Sequence, residues 1–229
     1  MKLSNITDVY FDLDHTLWDF DRNSALAFER LFLKHKIDLT LTDFKKVYEP
    51  INLSYWKQYR DNEITKVELR RGRFRDAFAP FDMQFNEEQL DALAITYIEE
   101  LPKNNYLFEG VTEVLSYLSE KYRLHIITNG FEEVQHIKLK NSKIDHFFHS
   151  VTTSEEAGVK KPHPAIFELA LKKTGSHPHS SLMIGDSFEA DIEGAHAFGM
   201  QTLFYNYRKE SFTHRHQTVE TISQIMSYL

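Results

Sequence analysis

Two aspartates near the start of the chain have the spacing of a paired reactive site. Asp12 and Asp14 lie in the run from Asp12 to Thr16, directly after a short apolar stretch. If that stretch is a strand, its pleat aims both carboxylates to the same side. Two carboxylates this close repel each other unless a cation neutralises them or one takes a proton. The pair therefore predicts a cation site or an acid/base pair, although such a run alone is more often a turn.

Three further polar clusters follow apolar runs in a similar way. Thr128 and Asn129 end one run, Asp186 and Ser187 end another, and Lys161 follows a third after a loop. Each cluster alone is typical of a turn or a solvated loop. In an open parallel sheet, however, ligands bind at the carboxyl ends of the strands. The order of the four clusters therefore predicts one site assembled from four strand ends.

The residue types in these clusters suit the transfer of a phosphoryl group. Asp12, Asp14 and Asp186 form an oxygen-rich site for Mg2+, which would bind a phosphate oxygen and screen the attacking carboxylate. Asp12 could then attack phosphorus and form an aspartyl-phosphate. Asp14 would protonate the leaving oxygen and afterwards deprotonate the water that hydrolyses the intermediate.

The remaining polar residues receive phosphate-binding and supporting roles. Thr128 offers a hydroxyl, Lys161 offers a positive charge, and Asn129 is counted with them as phosphate-binding. Backbone N–H groups after Asn129, at the start of a predicted helix, offer an anion cradle. Asp191 would hold Lys161 or the waters of the metal. The residues predicted to support the site from behind are Thr16, Ser187 and Asp191.

Short apolar runs alternate with helix-period segments along most of the chain. The predicted strands are residues 9–13, 124–128, 149–153, 181–185 and 201–205. The predicted helices between them are residues 111–121, 131–141, 164–174 and 190–198. Alternation of strand and helix predicts an α/β fold with a doubly wound parallel sheet.

Residues 18–101 interrupt this alternation with long helical patterns and no convincing strand. We therefore predict a core from residues 1–17 and 102–229 and a helical insertion from residues 18–101. The insertion is rich in aromatic residues, which could stack on a nucleobase or pack its interior. It also holds four arginines between residues 70 and 75, which cannot all face one way on a helix.

Composition narrows the classes of protein that remain. The formal net charge is −7 over 229 residues, which argues against a nucleic-acid partner. The absence of cysteine excludes disulfides, thiolate nucleophiles and cysteine-based zinc sites. The first eight residues hold no apolar signal region, and no stretch of about 18 apolar residues could span a bilayer. We expect a cytoplasmic enzyme with a small-molecule substrate and no membrane partner; the oligomeric state stays open.

The four polar clusters resemble the four motifs of the haloacid dehalogenase superfamily. The run Asp12–Thr16 is similar to motif one, D-x-D-x-T, and Ile127–Gly130 is similar to motif two. Lys161, before Pro162, resembles the motif-three lysine, and Gly185–Asp191 resembles motif four. The resemblance implies a Rossmann-like core, Mg2+, an aspartyl-phosphate intermediate and a cap domain, and the helical insertion is similar to the C1 cap type.

Two details narrow the resemblance. The dehalogenase members lack the second aspartate of motif one, so Asp14 favours a phosphatase. The family pattern places its lysine directly before a proline, which selects Lys161 over Lys160. Residues 126–131 and 159–167 are similar to the YjjG-type pyrimidine 5'-nucleotidases, which act on nucleoside monophosphates. A sugar-phosphate or phosphoglycolate phosphatase, a phosphomutase and a non-catalytic phospho-aspartate signalling module are the alternatives.

Overall fold

A six-stranded parallel sheet organises the part of the chain that this computed structural model describes, residues 3, 5–211 and 216–229. The strands are β1 (Asp8–Phe11), β2 (Arg123–Thr128), β3 (Phe148–Thr153), β4 (Ser181–Gly185), β5 (Gln201–Tyr205) and β6 (Gln217–Val219). Their order is β3-β2-β1-β4-β5-β6, and every neighbouring pair is parallel. The predicted α/β fold is confirmed. Because the chain moves outward from β1 in both directions, the switch point for ligand binding lies beside the end of β1.

The observed strands match the predicted ones except for the end of β1 and the presence of β6. β1 ends at Phe11, and all four of its residues are buried, as expected of a central parallel strand. β6 was not predicted, because it has three residues and two of them, Gln217 and Thr218, are polar. A short edge strand of this kind carries too little apolar pattern to be recognised.

The chain divides into two compact units. The core unit comprises Met1–Phe20 and Asn105–Leu229, and the helical unit comprises Asp21–Asn104. On the core side of the division, the chain leaves and returns through a short antiparallel pairing centred on Trp18 and Leu107. The Asp19 N–H donates to the Tyr106 carbonyl over 3.0 Å. The segments on the two sides of the insertion are therefore hydrogen-bonded to each other.

Four helices form the helical unit, and their polar termini follow familiar capping patterns. They are α1 (Phe20–His35), α2 (Leu41–Arg60), α3 (Lys66–Phe78) and α4 (Glu87–Glu100). Thr40 and Thr65 cap α2 and α3, and Asn86 forms a reciprocal capping box with Gln89 at the start of α4. The interior is aromatic: the Phe28 ring lies 4.6 Å from that of Tyr48 and 6.0 Å from that of Phe74. Tyr48 and Phe74, two aromatic residues of the predicted insertion, thus pack the core of this unit.

Two charged side chains are buried in the helical unit. Glu100 is fully buried and accepts hydrogen bonds from Arg30 Nε at 2.6 Å and Lys103 Nζ at 2.7 Å. Burial by itself raises the pKa of Glu100, but its cationic partners outweigh this effect and lower the pKa to about 2. Arg73 is only 1% exposed, and its neighbours are of a different kind.

The guanidinium of Arg73 has a neutral partner. Its Nη1 donates to Asn52 Oδ1 over 3.0 Å, and its Nε and Nη2 have no hydrogen-bond partner among the described residues. The ring centroids of Tyr97 and Phe74 lie 5.1 Å and 5.4 Å from the guanidinium carbon, within the range of cation–π contacts. Two aromatic rings and one amide oxygen therefore contact the Arg73 guanidinium where an ion pair would have a carboxylate.

Five α-helices alternate along the chain with the strands in the described part of the core unit. They are α5 (Val111–Ser119), α6 (Glu132–Asn141), α7 (Ser154–Ala157), α8 (Pro164–Thr174) and α9 (Gly194–Ala197), with a π-helical turn over Phe188–Glu193 before α9. Tyr10 and Met183 from the sheet pack with Phe167 of α8 in one buried cluster. Within the described residues, no helix has the length and apolar character of a membrane span.

A buried histidine lies in the middle of the sheet. His125 on β2 is 1% exposed, and its Nε2 and Nδ1 lie 3.0 Å from Asp8 Oδ1 and Ser150 Oγ, respectively. Burial lowers the pKa of His125 to about 4, although Asp8 opposes part of this shift. The ring is therefore neutral at physiological pH.

Candidate active site

A buried lysine contacts the first and the last acidic motif at the carboxyl-terminal ends of the central strands. Lys161 Nζ lies 2.6 Å from Asp12 Oδ1 and 2.7 Å from Asp191 Oδ1. It also donates to the Ile127 carbonyl over 2.7 Å, and the lysine side chain is only 2% exposed. Burial lowers the pKa of Lys161, but the two carboxylates outweigh burial and raise it above its ordinary value. Lys161 is therefore a buried cation held by two carboxylates, and its role as the motif-three lysine stays a prediction.

Carboxylates outnumber that cation. One side-chain oxygen from each of Asp12, Asp186 and Asp191 lies within 4.8 Å of the others. Burial, opposed by Lys161 and reinforced by the charge of Asp191, raises the pKa of Asp12 to about 7. Burial and the charges of Asp12 and Asp191 raise the pKa of Asp186 well above its ordinary value. A second cation would relieve this repulsion, and a cluster of carboxylate oxygens fits a hard divalent ion.

The position of Lys161 is set by Asn129. Asn129 Nδ2 donates to the Lys161 carbonyl over 3.0 Å, and the Lys161 N–H donates to Asn129 Oδ1 over 2.8 Å. Both ends of the amide are thus bonded to the main chain of the lysine. Phosphate binding by Asn129 stays a prediction, whereas the structure shows its side chain bonded to the main chain of Lys161.

Thr128 ends β2 with a buried hydroxyl. Its Oγ1 accepts a hydrogen bond from the Gly130 N–H at 3.0 Å and another from Gln135 Nε2 at 2.7 Å. Both bonds use lone pairs of the oxygen, so the hydroxyl proton can be donated to a phosphate oxygen. The predicted anion cradle is wrong in part, because the Gly130 N–H is taken by Thr128 and the Glu132 N–H donates to Glu155.

Asp14 has partners that differ from those of Asp12. Both aspartates follow the last residue of β1, Phe11, although the Asp12 N–H still donates to the Ile184 carbonyl over 2.9 Å. That the two carboxylates point the same way stays a prediction. Lys138 Nζ lies 2.6 Å from Asp14 Oδ1 and 2.8 Å from Oδ2. Gln135 Nε2 also donates to Asp14 Oδ2, over 3.0 Å. The carboxylate of Asp14 therefore faces α6, and metal binding by this side chain stays a prediction that the contacts do not favour.

Sequence reasoning missed Gln135 and Lys138. Both lie on α6, three residues apart, and both are at most 2% exposed. The helix has buried residues at positions 134, 135, 138 and 139, which is the spacing of one inward face. Two polar residues on an inward face are the signal that could have indicated a functional role. Burial lowers the pKa of Lys138, although Asp14 opposes the shift.

The predicted supporting residues lie behind the acidic cluster. Thr16 Oγ1 donates to Asp186 Oδ1 over 3.4 Å, and the Ser187 N–H donates to Asp191 Oδ2 over 3.0 Å. Ser187 Oγ also accepts from the Ala190 N–H and caps the π-helical turn. Gly185 leaves room for the Asp191 side chain, since a Cβ at position 185 would lie 2.2 Å from Asp191 Oδ2.

Comparison with known proteins agrees with this geometry. A family model described as haloacid dehalogenase-like hydrolase matches residues 9–205. Pyrimidine 5'-nucleotidase YjjG of Escherichia coli is 32% identical over 202 residues, which cover 86% of this chain and 85% of that protein. Glyceraldehyde 3-phosphate phosphatase of Pyrococcus abyssi is 36% identical over 207 residues, which cover 88% of this chain and 82% of that protein.

A solved structure has the same architecture over nearly the whole chain. The putative HAD-hydrolase YfnB from Bacillus subtilis, in a form bound to magnesium, matches with a TM-score of 0.89 and 26% identity. The match covers 97% of each chain. The predicted superfamily and the prediction of an enzyme are confirmed: this chain belongs to the haloacid dehalogenase-like hydrolase family.

Proposed function

We propose that this chain is a Mg2+-dependent phosphatase that removes phosphate from nucleoside 5'-monophosphates through an aspartyl-phosphate on Asp12. One observation carries the proposal: the two aspartates of the first motif have separate environments. Asp12 pairs with Lys161, whereas Asp14 pairs with Lys138. Two carboxyl groups paired with different lysines suit two different roles, one as nucleophile and one as acid and base.

Asp12 and Asp186 are the side chains that would hold the metal, with Asp191 beside them in the same cluster. Bound there, Mg2+ would supply positive charge to a phosphate oxygen and offset the repulsion between substrate and carboxylates. The likeness to a structure of YfnB bound to magnesium supports the choice of this ion. Asp14, the third predicted ligand, keeps this role only as a prediction, since its carboxylate is held by Lys138 and Gln135.

The chain's own residues then account for the two chemical steps. A carboxylate oxygen of Asp12 forms a bond to phosphorus while the bond from phosphorus to the leaving oxygen breaks. Asp14 gives its proton to that oxygen, which departs as an alcohol. In the second step Asp14 takes a proton from water, whose oxygen bonds to phosphorus as the bond to Asp12 breaks. Lys161 and the hydroxyl of Thr128 bind the phosphoryl oxygens.

The choice of substrate rests on the relatives. The likeness to YjjG, a pyrimidine 5'-nucleotidase, supports a nucleoside monophosphate. The likeness to a glyceraldehyde 3-phosphate phosphatase supports a sugar phosphate as the second candidate. Both substrates present a phosphomonoester to the same core residues, so the difference lies in the leaving alcohol. A cytoplasmic location and the lack of nucleic-acid or membrane partners stay predictions.

The test is a substrate panel assayed with Mg2+. We expect phosphate release from pyrimidine nucleoside 5'-monophosphates with kcat/KM at least tenfold above that for triose and other sugar phosphates. Chelation with EDTA should stop turnover, and Asp12→Asn should abolish it. Asp145→Asn, an exposed aspartate of the same unit, serves as the matched control and should behave as wild type.

The outcomes separate the parts of the proposal. Release from sugar phosphates alone would replace the substrate and keep the mechanism. Full activity in EDTA would reject the metal. Near-normal turnover by Asp12→Asn would reject Asp12 as the nucleophile.

A further inference from the structure

We propose that Lys138 is a positioning residue that holds Asp14 in the orientation needed to protonate the leaving group. This inference rests on the proposed function and adds a residue outside the four motifs to its machinery. Lys138 lies on α6, in the first helix after β2, and is separated from Asp14 by 124 positions in sequence. The fold alone brings the two side chains together.

The contacts of Lys138 make it a specific holder of the carboxyl group. Its Nζ lies 2.6 Å and 2.8 Å from the two oxygens of Asp14. Gln135, one helical turn earlier, donates to the second oxygen. A carboxyl group with donors on both oxygens has its plane and its distance from the sheet fixed, which a free aspartate side chain does not.

Lys138 is itself fixed by its surroundings. Its side chain is 3% exposed, and Nζ lies 4.3 Å from the ring centroid of Trp18 and 5.4 Å from that of Phe20. Buried ammonium groups require a charge partner, and Asp14 is the carboxylate within salt-bridge distance among the described residues. A lysine placed between two rings and one carboxylate has little freedom to turn away.

Close packing around Gly130 reinforces the arrangement. A Cβ at Gly130 would lie 1.8 Å from Gln135 Nε2 and 3.2 Å from Asp14 Oδ2. The turn after β2 therefore leaves room for Gln135 to reach both Thr128 and Asp14. The α6 face thus connects the residue that binds phosphate with the residue that handles the proton.

The chemistry predicts a dependence on the leaving group. Asp14, ionised in its pair with Lys138, takes up a proton from solvent before the first step. When the bond from phosphorus to the leaving oxygen breaks, the electron pair stays on that oxygen and this proton is transferred to it. An alkoxide leaving group, as in a nucleoside monophosphate, needs this proton, whereas nitrophenolate is stable as an anion. The ratio kcat/KM reports the steps up to the first irreversible one, so it isolates this transfer from the later hydrolysis.

The experiment compares Lys138→Met with wild type on a nucleoside 5'-monophosphate and on p-nitrophenyl phosphate. We expect kcat/KM to fall about 100-fold for the nucleotide, in the range of a general acid, and less than about tenfold for the nitrophenyl ester. Lys138→Arg, which keeps the charge, should recover most of the loss. Lys140→Met on the exposed side of α6 is the matched control and should leave both values unchanged.

A double variant separates positioning from a general structural effect. In an Asp14→Asn background, Lys138→Met should cause no further loss of kcat/KM for the nucleotide, since the group it holds is already gone. Equal losses for the two substrates, additive losses in the double variant or wild-type activity in Lys138→Met would each overturn the inference. If Lys138→Met does not fold, Lys138→Gln must show the same split between substrates.

A failure of the proposed substrate is distinguishable from a failure of this inference. If the wild-type enzyme releases no phosphate from nucleotides, the proposed substrate is wrong, and the same comparison is made with an alkyl phosphate that it does hydrolyse. The inference about Lys138 then stands or falls on the split between alkyl and nitrophenyl esters.

Discussion

The core unit and the helical unit bury positive charge in opposite ways. In the core, Lys161 lies between Asp12 and Asp191, and its Nζ is 2.6 Å and 2.7 Å from them. In the helical unit, Arg73 is as deeply buried but contacts one amide and two aromatic rings. A paired ion fixes the carboxylates around it, whereas a cation on aromatic faces fixes none. The core thus holds a charge arrangement suited to chemistry, and Arg73 contributes mainly packing in the contacts described.

The largest effect is expected where the paired cation is removed. Lys161→Met should lower the free energy of unfolding by about 3–5 kcal/mol, because it leaves buried carboxylates without their partner. Turnover should fall below detection. Denaturant unfolding in EDTA measures the first effect, with Lys172→Met on the exposed side of α8 as control. A loss below about 1 kcal/mol would show that the ion pair is not the stabilising element that distinguishes the core.

The buried histidine of the core should produce a pH dependence. His125 has its pKa lowered to about 4 by burial, against about 6.5 in an unfolded chain. As the pH falls, the unfolded chain therefore binds this proton at a higher pH than the folded protein does. The stabilisation is complete above pH 6.5 and is lost as the pH falls toward 4. We expect a loss of about 3 kcal/mol across this window. His125→Gln should flatten the dependence, while His136→Gln on the surface of α6 should not.

The helical unit should respond in a lower window, through Glu100. Its pKa is lowered to about 2, because its cationic partners outweigh the effect of burial. The stabilisation is present above the unfolded pKa of about 4.3 and is lost as the pH falls toward 2. Glu100→Gln should lower the free energy of unfolding at pH 7 by about 2 kcal/mol, a value discounted for the exposure of the partner side chains. Glu99→Gln, an exposed neighbour, is the control, and equal effects of the two variants would contradict the assignment.

The smallest effect is expected at Arg73. Arg73→Met removes a buried charge that has no carboxylate partner within the described part of the chain, while it keeps most of the contact with Phe74 and Tyr97. The free energy of unfolding should change by less than about 1 kcal/mol. Calorimetry of this variant beside Lys161→Met tests the comparison directly. A loss as large as that of Lys161→Met would mean that the rings and the amide stabilise the cation as well as carboxylates do.

Sequence patterns predicted the features that are local in the chain. Asp12, Thr128, Lys161 and Asp186 follow the ends of apolar runs, and parallel strands bring such ends together. The contacts of Lys138 were not predictable in this way, because 124 positions separate it from Asp14. A lysine in an amphipathic helix is ordinarily solvated, so its burial becomes visible only when the helix is placed against the sheet.

The contacts of individual side chains could not be predicted from the sequence pattern either. Asp12 pairs with Lys161 and Asp14 pairs with Lys138, and the spacing of the two aspartates in the first motif does not show this difference. Asn129 is a similar case, since its amide bonds the main chain of Lys161 instead of pointing away from it. Residue type indicated the chemistry, whereas the partners of these side chains come from segments that are distant in sequence.

The short antiparallel pairing around Trp18 and Leu107 places the two ends of the insertion next to each other. The chain departs and comes back at points joined by a hydrogen bond of 3.0 Å between Asp19 and Tyr106. Insertions are best tolerated where the two ends lie side by side, because the host needs no rearrangement to close the gap. One helical segment could thus be exchanged for another during evolution or in the laboratory without altering a single strand.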